Sequence, residues 1–227
     1  MLYSNIFFNI ITSKKRDSKL IQRDTCYKCY RPKTSCMCKY IKPIETNTKF
    51  IILMHPKEYR KTKNGTGHFT NKSLKNSEIF IGIDFTNHIR INEILNNEKN
   101  ECYILYPGKN SIKLNEESIN TKKNIVLFII DSTWACSKKM LRESKNLKNL
   151  ERVSFQSDRT SEFKIKEQPA SYCLSTIEST QFILELLNKH QLENLTDKDI
   201  QGFTKPFTQM VNYQLNCLDK VKDIRYK

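Results

Sequence analysis

Apolar residues along this chain gather in short continuous runs, not in strict alternation. Residues 49–54, 78–85, 101–106 and 124–130 each read as a strand, and 152–155 as a fifth. Continuous apolar strands are what a parallel sheet covered on both faces requires, because both sides of each strand are buried. Between and after these runs the spacing turns helical. Residues 91–97, 133–147, 174–187 and 207–218 read as helices. In the third of them Leu174, Ile177, Phe182, Ile183, Leu186 and Leu187 form one apolar side. Strands alternating with helices predict an α/β fold, a mostly parallel sheet with helices on both faces. Residues 109–123 read as a polar loop, and no internal repeat is visible.

Ligands of such sheets sit at the carboxyl ends of the strands. Three ends carry unusual residues. The first strand runs into His55-Pro56-Lys57-Glu58 and then Asn64-Gly65-Thr66-Gly67-His68. The third runs into Tyr106-Pro107-Gly108, and the fourth into Asp131-Ser132-Thr133-Trp134. Three loops at one sheet edge predict a small-molecule pocket. Each residue also has a plainer role. Asp131 would serve as N-cap of the helix starting near Thr133, the role favoured on spacing alone. Trp134, the single tryptophan, is more often a core residue than a stacking platform. His55 before proline reads as a packed or turn histidine. Ser175-Thr176-Ile177-Glu178 has the form of a capping element, and Pro169 before it suggests another ligand-facing turn.

Four of the eight cysteines, Cys26, Cys29, Cys36 and Cys38, fall within thirteen positions with the spacing C-x2-C-x6-C-x-C. Four thiolates this close suit a tetrahedral zinc site, with two disulfides as the alternative. Four thiolates leave no open coordination position, so the expected zinc is structural. Cys102, Cys136, Cys173 and Cys217 are isolated and read as buried small hydrophobes. The expected organisation is a lead over 1–24, a zinc knuckle over 25–43 and an α/β domain over 44–227.

The 39 lysines and arginines against 24 acids give a net charge of +15. Such an excess predicts attraction to a polyanion, nucleic acid being the usual one, with simple solubility as the plainer account. Lys138, Lys139 and Arg142 recur at helical spacing and are candidate phosphate contacts, or a solvated basic face. Lys28, Arg31, Lys33 and Lys39 surround the cysteines. No apolar stretch approaches ~20 residues, and the basic residues near the start follow the apolar run instead of preceding it, so neither a spanning helix nor a signal peptide is expected. The expected location is cytoplasmic.

Together these segments resemble the DTW-domain family, the tRNA-uridine aminocarboxypropyltransferases. The resemblance rests on the cysteine knuckle, His55-Pro56-x-Glu58 with Asn64-Gly65-Thr66-Gly67, Tyr106-Pro107-Gly108, Asp131-Ser132-Thr133-Trp134 and Leu174-Ser175-Thr176-Ile177-Glu178, in that order. Ser132 stands where the family commonly has glycine. The resemblance implies a SPOUT-like sheet whose C-terminal part threads a trefoil knot. It implies transfer of the 3-amino-3-carboxypropyl group of S-adenosylmethionine to N3 of a tRNA uridine, in the variable loop for bacterial members, with methylthioadenosine released. Asp131 and Trp134 become the implied catalytic residues, Asp131 as base or as partner of the cofactor ammonium. Thr66, Gly67, Tyr106, Pro107, Gly108, Ser132, Thr133, Ser175, Thr176 and Glu178 become implied cofactor contacts. The implied partners are tRNA and S-adenosylmethionine, with no membrane and no obligatory protein partner. An RNA methyltransferase using the same donor, or a non-catalytic zinc-knuckle RNA-binding protein, are the competing readings.

Overall fold

A computed structural model describes residues 24–29, 31–61, 65–165 and 173–225, so most of the expected N-terminal lead, with Asn64 and Pro169, lies outside the described residues. Six strands, β1 (Lys49–Met54), β2 (Ser77–Ile81), β3 (Asn100–Leu105), β4 (Ile112–Lys113), β5 (Asn124–Asp131) and β6 (Glu151–Ser154), form one parallel sheet in the order β2-β1-β5-β3-β6-β4. The period-2 pleat sends successive residues of the central strands into two different cores. Phe50, Leu127, Ile129 and Tyr103 face one core, while Ile51, Leu53, Val126, Phe128 and Ile104 face the other. The continuous runs in the sequence are therefore two alternating sets laid over each other.

Helices cover both faces. The first core is closed by α2 (Thr66–Ser73), α5 (Thr176–Lys189), α6 (Asp197–Phe203) and the first half of α7 (Lys205–Arg225) through Phe69, Ile183, Leu187, Phe203 and Phe207. The second is closed by α3 (Ile89–Leu95) and α4 (Trp134–Glu143) through Ile91, Ile94 and Met140. Met37, from the cysteine-rich segment, is buried in the first core, and Ile44 bridges Leu74. The knuckle is thus packed onto the sheet domain.

Several expectations need correction. The stretch after β1 is helical: α1 (Pro56–Lys61) starts with proline at its first position, where no N–H is needed, and His55 Nδ1 accepts the Lys57 N–H at 3.1 Å. α2 replaces the expected glycine-containing loop. β2 ends at Ile81, because Gly82 folds the chain so tightly that a Cβ there would lie 2.9 Å from the Phe85 ring. The expected helix 133–147 breaks at Ser144, whose buried hydroxyl accepts the Phe85 N–H at 3.1 Å; a 3-10 turn, Lys145–Leu147, follows. The polar loop 109–123 hides the two-residue edge strand β4, and α6 was not expected. Cys217 is exposed and Cys102, Cys136 and Cys173 are only half-buried, so none of the four is a fully buried core residue.

Candidate functional site

At the carboxyl edge of the sheet β5 ends in Asp131, which is 7% exposed. It is not the helix cap. That role belongs to Thr133, whose side chain accepts the Cys136 N–H, leaving the Asp131 carboxylate to point elsewhere. The starts of two helices converge on it. From α5, Thr176 Oγ1 donates to Oδ1 at 2.5 Å. From α2, the backbone at Gly67 presses so closely that a Cβ there would stand 2.3 Å from Oδ2. Helix N-termini carry partial positive charge, which favours negative charge placed beside them. The β1 end joins the same corner, where the His55 N–H donates to the Asp131 carbonyl at 3.1 Å. Burial lowers the His55 pKa, and the charges of Lys57 and Lys139 lower it further.

Thr176 also lines a cavity of about 320 Å³. Its walls come from the ends of β3, β5 and β6 and the starts of α4 and α5, with Tyr106, Pro107, Ser132, Trp134 and Phe155 among them. Volumes of this order are typical of small-ligand sites. Trp134 is 45% exposed, so it is not a core residue. Its ring meets Tyr106 edge-on at 5.9 Å, and the Arg152 guanidinium lies 5.4 Å from the Tyr106 ring. Trp134 thus lines the cavity with its ring partly in solvent.

Other candidates sit around this cavity instead of in it. Gly108 packs on Arg152, with room for a Cβ only 3.1 Å from its side chain. Ser175 and Glu178 form a full capping box on α5, and Glu178 also accepts from Ser161 Oγ and the Glu162 N–H, both at 2.7 Å. That carboxylate ties the loop after β6 to α5. Thr66, Gly67, Thr133, Ser175 and Glu178 are not among the described lining residues, whereas Ser137, Ser154 and Ser179, which the sequence reading missed, are. Isolated serines on ordinary helix and strand positions gave no signal. Lys138, Lys139 and Arg142 are exposed on α4, with Arg142 bound to Glu143 at 2.9 Å.

The four clustered cysteines come together with every Sγ within 4.8 Å of the others. Cys26 and Cys38 lie 4.0 Å apart, and Cys29 and Cys36 3.6 Å apart. Four sulfurs about 2.3 Å from a tetrahedral zinc stand about 3.8 Å from one another, so the donor set fits zinc. Disulfide sulfurs would be about 2.05 Å apart, and all eight cysteines are free thiols. Backbone N–H groups of Cys29 and Lys28 lower the Cys26 pKa to about 6, whereas burial raises those of Cys29 and Cys38. A bound dication would supply the charge that lets all four ionise. Arg31 is 3% exposed, with its guanidinium 4.8 Å from the Phe69 ring, so it supports the knuckle from inside and is removed from the surface lysines around it.

Among the described residues no helix is long and apolar enough to cross a membrane. No solved structure matches the chain. Curated relatives do. The protein named tRNA-uridine aminocarboxypropyltransferase 2 of Drosophila melanogaster is 28% identical over 203 residues, 86% of this chain and 76% of that protein. Its namesake in Macaca fascicularis is 25% identical over 199 residues, covering 86% and 64% respectively. The tRNA-uridine aminocarboxypropyltransferase A of Arabidopsis thaliana is 28% identical over 138 residues, 55% of this chain and 52% of its own length. A family model described as the DTW domain matches residues 23–215, which take in the cysteine cluster, the whole sheet and the cavity: this chain belongs to the DTW-domain family.

Proposed function

We propose that this protein transfers the 3-amino-3-carboxypropyl group of S-adenosylmethionine to N3 of a uridine in tRNA, in the variable loop. The observation that carries the reading is the cavity at the sheet edge, walled by Tyr106, Ser132, Trp134 and Thr176, with the Asp131 carboxylate one hydrogen bond behind it. The names of the relatives support the same activity.

S-adenosylmethionine supplies a sulfonium, so the bond from sulfur to the carboxypropyl carbon breaks with its electron pair going to sulfur, and neutral methylthioadenosine leaves. The bond formed is from uridine N3 to that carbon, and the N3 proton is lost to solvent or a nearby base. The apolar and aromatic walls suit an adenine ring, and the hydroxyls of Ser132, Ser137 and Thr176 suit the polar parts of the ligand. Asp131 contributes negative charge beside a cationic ligand in a dry corner, where charge acts strongly. Because it sits at the starts of α2 and α5 behind the cavity wall, we assign it to attracting and orienting the cationic end of S-adenosylmethionine. The exposed face of Trp134 is the platform on which the target uracil stacks, and much of the rate gain is orientation. Lys138, Lys139 and Arg142 take tRNA phosphates, which makes affinity fall steeply with salt.

Structural zinc on Cys26, Cys29, Cys36 and Cys38 belongs with this reading. A knotted, SPOUT-like course of the C-terminal part is part of the same proposal and is compatible with the six parallel strands.

The test is donor labelled in the carboxypropyl carbons, incubated with unmodified tRNA and either wild type or Asp131→Ala. The expected result is label in uridine with methylthioadenosine formed, and both lost in the variant. Label transferred only from the donor methyl makes the protein a methyltransferase. No transfer of either label refutes the reading.

A further inference from the structure

A second, larger cavity of about 690 Å³ lies between the cysteine knuckle and α7, and it shares no lining residue with the one at the sheet edge. We infer that this groove binds an unpaired stretch of the tRNA, by stacking its bases on tyrosine rings away from the reacting uridine. This rests on tRNA being the substrate.

Three features point to that occupant. Tyr27, Tyr40 and Tyr213 line the groove; Tyr27, at the tip of the knuckle, is 90% exposed, while Tyr40 and Tyr213 are half-buried against the core and form the groove's inner wall. Aromatic faces presented to solvent beside cations are the usual stacking platforms for single-stranded nucleic acid, since every base offers a π-face. Second, α7 has two faces. Phe207, Met210 and Val211 enter the core, but the stripe Gln209, Asn212 and Asn216, spaced three and four residues apart, lines the groove with amides. Tyr213 is the one aromatic residue in this stretch, and the amides beside it suit base edges and sugar hydroxyls. Third, Lys28, Lys33 and Lys39 stand around the rim, and Lys39 Nζ lies 4.9 Å from the Tyr40 ring. The groove therefore favours a polyanion.

The variants are Tyr27→Ala, Tyr27→Phe and the pair Asn212→Ala with Asn216→Ala, all at exposed positions. The probes are an unmodified tRNA transcript and a single-stranded oligoadenylate of about eight nucleotides. Dissociation constants are read by filter binding, and label transfer gives KM and kcat. Loss of one stacked base weakens binding about tenfold. Tyr27→Ala is expected to do so for both probes, raising KM with kcat, zinc content and melting temperature unchanged. Tyr27→Phe keeps the ring and stays within about twofold of wild type. The paired Asn variant weakens oligoadenylate binding in the same direction.

Affinity within twofold for Tyr27→Ala and for the paired variant overturns the inference, even if label transfer by wild type proceeds. A fall in melting temperature with affinity unchanged also overturns it, and gives the groove to internal packing. If wild type transfers no label but binds oligoadenylate in a Tyr27-dependent way, the groove stands and the proposed reaction fails. Binding of an acidic peptide in preference to both RNAs hands the groove to a protein partner and overturns the inference.

Discussion

Replacing Gly67 by alanine should destabilise the protein, although it puts a better helix former into α2. In an open helix the exchange gains about 0.5–1 kcal/mol from the smaller entropy loss on folding. Here the new methyl would stand 2.3 Å from Asp131 Oδ2, 2.7 Å from its Cγ and 3.0 Å from Met54 Cε. Overpacking of that kind costs about 1–3 kcal/mol. Moving the carboxylate away also strains the hydrogen bond from Thr176, a charged bond whose loss costs about 1.5–3 kcal/mol. The net expectation is a loss of about 2–4 kcal/mol, or about 4–16 °C in melting temperature for a chain of this size. Gly202 in α6 is the control: nothing lies within 4 Å of a Cβ built there, so Gly202→Ala should be neutral or stabilising by about 0.5 kcal/mol. Urea unfolding of the two variants beside wild type is the assay. Equal or raised stability for Gly67→Ala would refute the tight α2–β5 contact and with it the account of Asp131.

Glu193→Gln should cost about 1–3 kcal/mol in urea unfolding, because this buried carboxylate accepts the backbone N–H groups of Asn47 and Thr48, both at 2.7 Å, just before β1. Purified protein should hold about one zinc by metal analysis, and Cys29→Ser should lose it together with thermal stability; a metal-free, equally stable wild type would refute the zinc site. Acidification should destabilise the fold from about pH 6.5 downward, since burial and neighbouring cations lower the folded pKa values of both His55 and His68 while the unfolded chain still takes up protons near the ordinary value. His55→Asn keeps a cap for α1 and should flatten that part of the pH profile of the urea midpoint; an unchanged slope would exclude His55 as its source.

β1 and β5 were legible because burial on both faces leaves continuous apolar runs, and β1 lies where its run lies, whereas β2 and β6 are only partly buried and were read from short apolar stretches between polar residues. The two helices after β1 were not, because Gly65 and Gly67 suggest a turn, whereas glycine here serves the close approach to Asp131 instead of backbone freedom. A two-residue strand such as β4 is fixed by its pairing with β6 and leaves no period to read. At the site, the tetrad of cysteines and the strand-end segments were visible from spacing. The partner of Asp131 was not: Thr176 is 45 residues away, and only the packing of α5 brings it there. Spacing favoured Asp131 as the cap because it cannot tell which of several polar residues at a strand end turns back onto the helix.

The acids of the sheet edge divide the labour in a way that bears on how the site operates. Glu178 is taken up by the α5 capping box and the loop after β6, and Asp131 by the starts of α2 and α5. Both carboxyl groups sit at helix N-termini, where negative charge is favoured, and they help build the wall before any ligand arrives. The cavity surface is left to hydroxyls and aromatic rings, with Ser132, Ser137, Ser154 and Thr176 beside Tyr106 and Trp134. Groups of this kind orient a ligand without competing for its leaving proton. A reaction limited by alignment of a carbon against a ring nitrogen is served by such a lining, and a fixed carboxylate behind it adds field without adding motion. On this argument the acids set the geometry of the corner and the hydroxyls and rings set which ligand it accepts.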